Sequence, residues 1–290
     1  MSAEAAAQPP VPDPEAATRE RVIAVEGKGT LSFLVADAAD GAPPVFCLAV
    51  RKSGSTMLNR IVIHLARRNG VNPVDVPGTF FRSGMNVADW LRTDLSSVIA
   101  PGNAYVGFRS YPTGFAGYPS FRTARKIFMF RDPRDALVSQ YFSDAYSHSL
   151  PSRETETGAK AAEAFERKRQ EALSSDIETY VLRHARSFDN TLLAFAPALD
   201  DPTCLTLRYE EHVFQKKRLI HKILGHYGWT CMPAQVEGLL KIVDTVPESE
   251  DVQRFIRRVI PGDHRNKLGP ETIRRLNNIM RESMAMFDYH

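Results

Sequence analysis

The chain has 290 residues, 43% of them hydrophobic, and a net charge of +3. That can supply the core of one large α/β domain or of one domain with a helical insertion, and the charge is too mild to call for nucleic acid, whose binders concentrate far more positive charge. Three cysteines, Cys47, Cys204 and Cys231, lack metal-ligand spacing and two fall in expected strands, so buried thiols in a reducing cytoplasm are expected.

Residues 1–20 are Ala/Pro-rich and acidic, which reads as a disordered tail with neither the basic n-region nor the apolar segment of a secretory leader. No apolar run approaches the roughly 20 residues of a membrane span. Residues 21–37 alternate as a hairpin, with Glu26-Gly27-Lys28-Gly29 at its turn. The apolar run 45–50 predicts a buried strand, 51–56 a loop, and 57–65 a helix. A helix over 87–99 and a strand over 104–109 follow. The Gly/Pro/aromatic stretch 113–119 predicts a loop that lines a pocket or lies on the surface. Residues 126–130 predict another strand, entering a helix through Arg131-Asp132-Pro133, where Pro133 suits a first helical turn. The charged stretch 151–175 predicts an exposed helix over 159–173, either a mobile lid or a solvated excursion. Helical spacing recurs over 176–196, a strand over 204–207, and amphipathic helices over 215–227, 233–246 and 270–286. No internal repeat is visible.

Two of these junctions carry chemistry. Arg51-Lys52-Ser53-Gly54-Ser55-Thr56 joins a strand to a helix N-terminus. Free backbone N–H groups and the helix dipole make such a turn an anion cradle, and Lys52 adds a cation. Phosphate or sulfate is the expected ligand. The usual nucleoside-triphosphate loop requires Gly-Lys-Ser/Thr, whereas Lys52 stands two residues before Gly54. At the second junction, Arg131 ends a strand and Ser139 lies two helical turns on. Arg131 either binds phosphate or pairs with Asp132 or Asp135. A third, basic stretch runs from Arg257-Arg258 to Asn266.

In this order the three stretches resemble the PAPS-dependent sulfotransferase family (PAPS, 3′-phosphoadenosine-5′-phosphosulfate). Arg51-Lys52-Ser53-Gly54-Ser55-Thr56-Met57 is similar to its Pro-Lys-Ser-Gly-Thr-Thr-Trp. Arg131 to Ser139 is similar to its Arg-Asn/Asp-Pro-Lys/Arg-Asp…Ser, and Arg257 to Asn266 to its Arg-Lys-Gly-x-x-Gly-Asp-Trp-Lys-Asn. Tyr209-Glu210-Glu211 matches a smaller Tyr-Glu-Asp signature. The resemblance runs from about residue 45 to 266. It implies a three-layer α/β fold, P-loop NTPase-like, with a mostly parallel central sheet flanked by helices. Residues 21–290 would form one domain, with an excursion at 151–175.

The resemblance also implies roles. Arg51, Lys52 and the N–H groups of Ser53, Gly54, Ser55, Thr56 and Met57 would hold the 5′-phosphosulfate. Arg131 and Ser139 would hold the 3′-phosphate, with Arg257 and Arg258 closing over it. Tyr209, and Thr245 by a looser alignment, would lie near the adenine. An acceptor hydroxyl or amine would attack sulfur in line, 3′,5′-ADP would leave, and Lys52 would stabilise the leaving oxygen. No metal is required by this scheme.

The general base departs from the family's best-known branch. Ser110 stands where a His is usual, and a serine is a poor base by itself. Asp75, after the first helix, and His148 are the base candidates, with Asp144 a further one. Phe80, Phe81, Trp90, Tyr111, Phe115 and Tyr118 suit an aromatic acceptor pocket or core packing equally. The expected partners are a small-molecule, lipid or saccharide acceptor and a second copy in a homodimer. Two rivals stand beside this reading. One is a P-loop nucleotide kinase or NTPase, which needs magnesium. The other is a non-catalytic anion- or heparin-binding module.

Overall fold

The computed structural model describes residues 18–37, 42–147 and 156–290. An antiparallel ribbon, β1 (Thr18–Val25) and β2 (Gly29–Ala36), comes first. Its strand starts at Thr18, so residues 18–20, expected in the tail, belong to the ribbon; residues 1–17, the rest of that expectation, lie outside the described residues. Gly27 and Gly29, both at positive φ, form its turn.

The central unit begins with β3 (Val45–Ala49) and α1 (Ser55–Arg68), then β4 (Asn72–Asp75), α2 (Val76–Arg82), α3 (Val87–Arg92), β5 (Asn103–Phe108), α4 (Pro119–Thr123) and β6 (Arg125–Phe130). Next come α5 (Pro133–Phe142), a π-helical turn (Ser143–Ser147), α6 (Glu156–Leu173), α7 (Ile177–Leu193), α8 (Ala196–Leu199), β7 (Cys204–Arg208) and α9 (Tyr209–His212). The chain closes with α10 (Lys216–Tyr227), α11 (Pro233–Val243), α12 (His264–Lys267), α13 (Pro270–Ile279) and α14 (Arg281–Met286).

Five strands form one parallel sheet in the order β4-β5-β3-β6-β7. The first of them, β3, is therefore central, and all five strand ends open on one edge, where open α/β sheets place their ligands. All five residues of β3 are buried. Alternation sends Phe46 and Leu48 into one core with Phe128, Phe188 and Phe195, and Cys47 and Ala49 into another with Leu58, Ile61 and Ile223. A strand buried on both faces reads as a continuous apolar run, and the two cores are the boundaries of three layers.

Four expectations need correction. The helix begun at Val87 stops at Arg92, because the Thr93 hydroxyl turns back to the Asp89 carbonyl at 2.8 Å and Asp94 Oδ1 accepts the Ser96 N–H at 2.9 Å. Such side-chain bonds compete with the helical ladder. The stretch 113–119 is not a plain loop but a 3₁₀ turn (Thr113–Gly117) leading into α4. The helix expected over 233–246 ends at Val243, and that over 270–286 is broken at Met280. The edge strand β4 has no counterpart among the expected strands; Pro73 and its shortness hide the strand pattern. Among the described residues no helix is long and apolar enough to cross a membrane.

Candidate active site

Ser53 folds the loop after β3 down onto the sheet. It is fully buried, and its hydroxyl donates to the carbonyls of Val50 and Met129. Lys52 and Gly54 both adopt positive φ, 65° and 82°, curling the backbone into α1. The first α1 hydrogen bond runs from Leu58 N to Gly54 O at 3.0 Å. No side chain caps the helix and no acid stands in its first turn, so its positive end is left for a ligand.

The register of β6 and β7 sets Phe130 opposite Arg208. Arg131 and Tyr209 therefore emerge side by side, with the guanidinium 4.5 Å from the ring centroid. The same ring lies against the first loop; a Cβ on Gly54 would come 3.0 Å from it. Arg131 donates to the Lys52 carbonyl at 3.4 Å and to Asp135 at 3.3 Å, so the Asp135 pairing is present alongside the groove position. Its Nε is buried without a partner.

Asp135 also accepts from the Gly262 N–H at 2.6 Å, the His264 N–H at 2.9 Å and His264 Nδ1 at 2.7 Å. Burial alone would raise its carboxyl, but His264 and Arg131 override this and hold it at about 2. This carboxylate fastens the C-terminal loop to α5. In that loop Arg257 pairs with Glu250 and Asp263 and lies 4.1 Å over the Phe142 ring, while Arg258 reaches Glu250 at 3.3 Å.

One groove of about 930 Å³ is lined by Arg51, Lys52, Gly54 to Met57, Asp75, Arg131, Ser139, Tyr209, Thr245, Arg257 and Arg258. Of the residues expected from sequence to bind donor, only Ser53 is absent from its surface. Ser110 and Asp144 line it too, whereas His148 lies outside the described residues. Of the six aromatics considered for an acceptor pocket, Phe81 and Trp90 line the groove. Phe80, Tyr111 and Phe115 are buried in the core, and Tyr118 packs against it, its hydroxyl bonding Asp94 and the Leu95 N–H.

Asp75 ends β4 and caps α2, its Oδ1 accepting the Gly78 N–H at 2.8 Å. Only glycine fits beside it: a Cβ on Gly107 would fall 2.1 Å from Oδ1, and one on Gly78 1.8 Å from Oδ2. Arg82 stands 3.5 Å away.

The electrostatics centre on Lys52. Burial pushes its ammonium down to about 8; Asp144 opposes this, while Arg109, Lys168 and Arg51 reinforce it. Burial alone would raise the Asp144 carboxyl, but Lys168, Tyr180 and Lys52 hold it below the usual carboxylate range. Sequence reasoning missed Arg109 and Lys168. Arg109 follows the end of β5 and donates to the Ser55 hydroxyl at 3.2 Å, so a basic residue at a strand's C-terminal end was its signal. Lys168 sits on a charge-rich helix and had none. Among the described residues no cluster of three or more His, Cys, Asp or Glu could hold a metal ion.

A family model described as a sulfotransferase domain matches residues 42–288. Among solved structures, the chain is similar to the mouse sulfotransferase SULT7A1 complexed with PAP (3′,5′-ADP), with a TM-score of 0.55 and 17% identity over 84% of this chain and 85% of that one. A retinol dehydratase in a complex with retinol and PAP aligns at a TM-score of 0.46 and 14% identity over 91% and 90%. A sulfotransferase from Alicyclobacillus acidocaldarius aligns at 0.45 and 15% over 86% and 95%. At 17% identity the first of these speaks for the fold alone. A search of curated proteins finds no match.

Proposed function

The chain belongs to the sulfotransferase family and is a PAPS-dependent sulfotransferase, and from that premise we propose which residues of the groove do the work. The carrying observation is convergence. Four cations from three separate stretches, Lys52, Arg131, and Arg257 with Arg258, line a single groove beside an uncapped helix N-terminus and an aromatic ring. Arg131, with an unpartnered buried Nε, suits a doubly charged 3′-phosphate, which its planar fork can meet with two hydrogen bonds. Ser139 joins it, and Arg257 and Arg258 close over the same phosphate. The N–H groups of residues 53–57, with Arg51 and Lys52, receive the 5′-phosphosulfate. Tyr209 and Thr245 flank the adenine.

PAPS supplies the sulfuryl group when bound. The acceptor's oxygen or nitrogen forms its bond to sulfur as the bond from sulfur to the 5′-phosphate oxygen breaks. Lys52 neutralises the charge growing on that oxygen, an interaction stronger in the transition state than before it. Asp75 takes the acceptor's proton, seated at a strand end in a notch that two glycines keep open. Asp75→Asn should lower turnover about 100-fold and leave PAP affinity unchanged.

The acceptor is a hydroxyl or amine on a small molecule, lipid or saccharide. The groove offers it an apolar wall of Phe81, Met85, Trp90 and Phe165. We place the protein in the cytoplasm, where Cys47, Cys204 and Cys231 would remain the free thiols they are in the structure.

The test is titration calorimetry with 3′,5′-ADP and with 5′-ADP, each with and without magnesium. Magnesium-independent binding that needs the 3′-phosphate and is lost in Arg131→Ala is expected. Equal binding of 5′-ADP, or binding that needs magnesium, would overturn the site in favour of a triphosphate-handling enzyme.

A further inference from the structure

The groove holds more positive charge than the donor asks for. Arg51, Lys52, Arg131, Arg257 and Arg258 answer the phosphates and the sulfuryl group. Toward β4 and α6 stand four further cations, Arg60, Arg82, Arg109 and Lys168, against two carboxylates, Asp75 and Asp144. Both carboxylates are already paired, Asp75 with Arg82 at 3.5 Å and Asp144 with Lys168 at 2.8 Å. Arg109 donates to the Ser55 hydroxyl at 3.2 Å. Among the described residues neither it nor Arg60 meets a carboxylate.

The surplus continues out of the groove along α1. From Ser55 to Arg68 this helix carries three arginines and a histidine and no acid. Thr56, Arg60, Ile63 and Arg67, spaced i, i+4, i+7 and i+11, form one row on the face turned away from the core. Thr56 and Arg60 line the groove. Arg67 lies beyond it, about 16 Å from Thr56 along the helix. Arg68 stands beside the row, its Nε donating to His64 Nε2 at 2.8 Å. Among the described residues Arg67 and Arg68 meet no carboxylate either. Their place in the last turn suits the helix dipole, but Arg60, two turns earlier, has no such reason to be there.

We propose that this row is the track for an anionic saccharide chain, the acceptor, whose end enters the groove past Arg60 and Arg109 and presents a hydroxyl or amine to Asp75. That the chain is the acceptor rests on the sulfotransferase reading; the track does not. A linear polyanion matches a narrow row of cations continuous with the groove. Each exposed pair is weak alone, and several along one chain add. A nucleic acid would ask for rings on which its bases stack, and α1 has no Phe, Tyr or Trp. An anionic membrane would ask for apolar side chains to insert, and the row offers only Ile63, half-buried.

The experiment measures binding of a fluorescent, de-N-sulfated heparin hexasaccharide to the full chain in the presence of PAP, and transfer of radiolabelled sulfate to it from PAPS. The unaltered chain should bind it, less tightly as salt rises, and should ignore neutral maltohexaose. Arg67→Gln with Arg68→Gln should weaken binding about tenfold, the reach of two exposed ion pairs. The double variant should also flatten the salt dependence and raise KM more than it lowers kcat, while PAP affinity holds. Arg60→Gln should weaken binding about threefold. Arg274→Gln with Arg275→Gln makes the same charge change on α13, across the sheet from α1, and should leave binding as it was.

Equal losses in the α1 and α13 variants would mean adhesion of a polyanion to any basic face and would overturn the track, as would equal binding of maltohexaose. Tighter binding of an RNA hexamer or of phosphatidylserine vesicles would overturn the choice of partner. Binding through α1 without sulfate transfer would overturn its role as acceptor. A chain that binds PAP but not the hexasaccharide refutes the track and leaves the sulfotransferase site standing. One that binds the hexasaccharide through α1 but not PAP does the reverse.

Discussion

Two constraints coincide at Gly54. Its φ of 82° lies in the left-handed region, and a Cβ there would stand 3.0 Å from the Tyr209 ring. An L-side chain would strain the backbone by about 1 kcal/mol and push the ring off Arg131. Gly54→Ala should therefore cost about 1–2 kcal/mol in a denaturant titration and weaken PAP binding by more than that strain alone. Asp135 makes a different prediction. Its carboxyl is held at about 2 in the fold, below the roughly 3.9 of an unfolded chain. The stability this confers is fully present above pH 4 and lost as pH falls towards 2. It amounts to about 2 kcal/mol. Asp135→Asn should be less stable at pH 7, and its acid unfolding should lose that part of the pH dependence. The sequence made Gly54 legible, because strand, loop and helix lie within twenty residues of one another. It could not reveal Asp144 with Tyr180, 36 positions apart, since nothing local says that α7 crosses under α5.

The element that departs most from its sequence reading is α6. As a charge-rich run it looks like a solvated helix, yet Ala162 and Ala172 are fully buried and Lys168 reaches into the groove. Its Phe165 meets Phe81 of α2 edge-on, with centroids 5.7 Å apart. That pair bridges the groove from two elements far apart in sequence. Small alanines on one face of a polar helix carry little periodic signal, so the burial was hidden. Strong two-sided strands such as β3 were plain because burial on both faces leaves no polar interruption. We expect α6 to act as a lid. Phe165→Ala should raise amide hydrogen exchange across 156–173 in the free protein, and PAP should restore less of the protection. Global stability should change by only about 1 kcal/mol, the worth of one aromatic pair. Unaltered exchange in α6 would mean that its alanine face and its ion pairs, Lys168 with Asp144 and Glu171 with Arg183, hold the helix without the aromatic pair.

At the scale of the whole molecule, the strand order puts the donor loop in the middle of the sheet and the C-terminus against one side of it. Phe287 packs on Phe130 with centroids 4.8 Å apart, and the Tyr289 hydroxyl donates to Glu210 at 3.0 Å. The same Glu210 accepts the Asp132 N–H at 2.9 Å, and Arg134 donates to the His290 carbonyl at 3.0 Å. The last four residues are thus tied to the turn that presents Arg131. Removing residues 287–290 would leave the Phe128 and Phe130 faces uncovered and Glu210 and Arg134 short of partners. A cost of about 3–5 kcal/mol is expected, comparable to deleting a core phenylalanine, and a urea titration would measure it. Tyr289→Phe isolates the polar part. It keeps the ring and removes one hydrogen bond to a carboxylate, so about 1–2 kcal/mol should be lost. Because Glu210 also holds the Asp132 N–H, the loss should appear in PAP affinity as well as in stability. If affinity held while stability fell, the C-terminus would brace the sheet without reaching the donor site. If both fell together, this distant segment would be part of what keeps Arg131 in position.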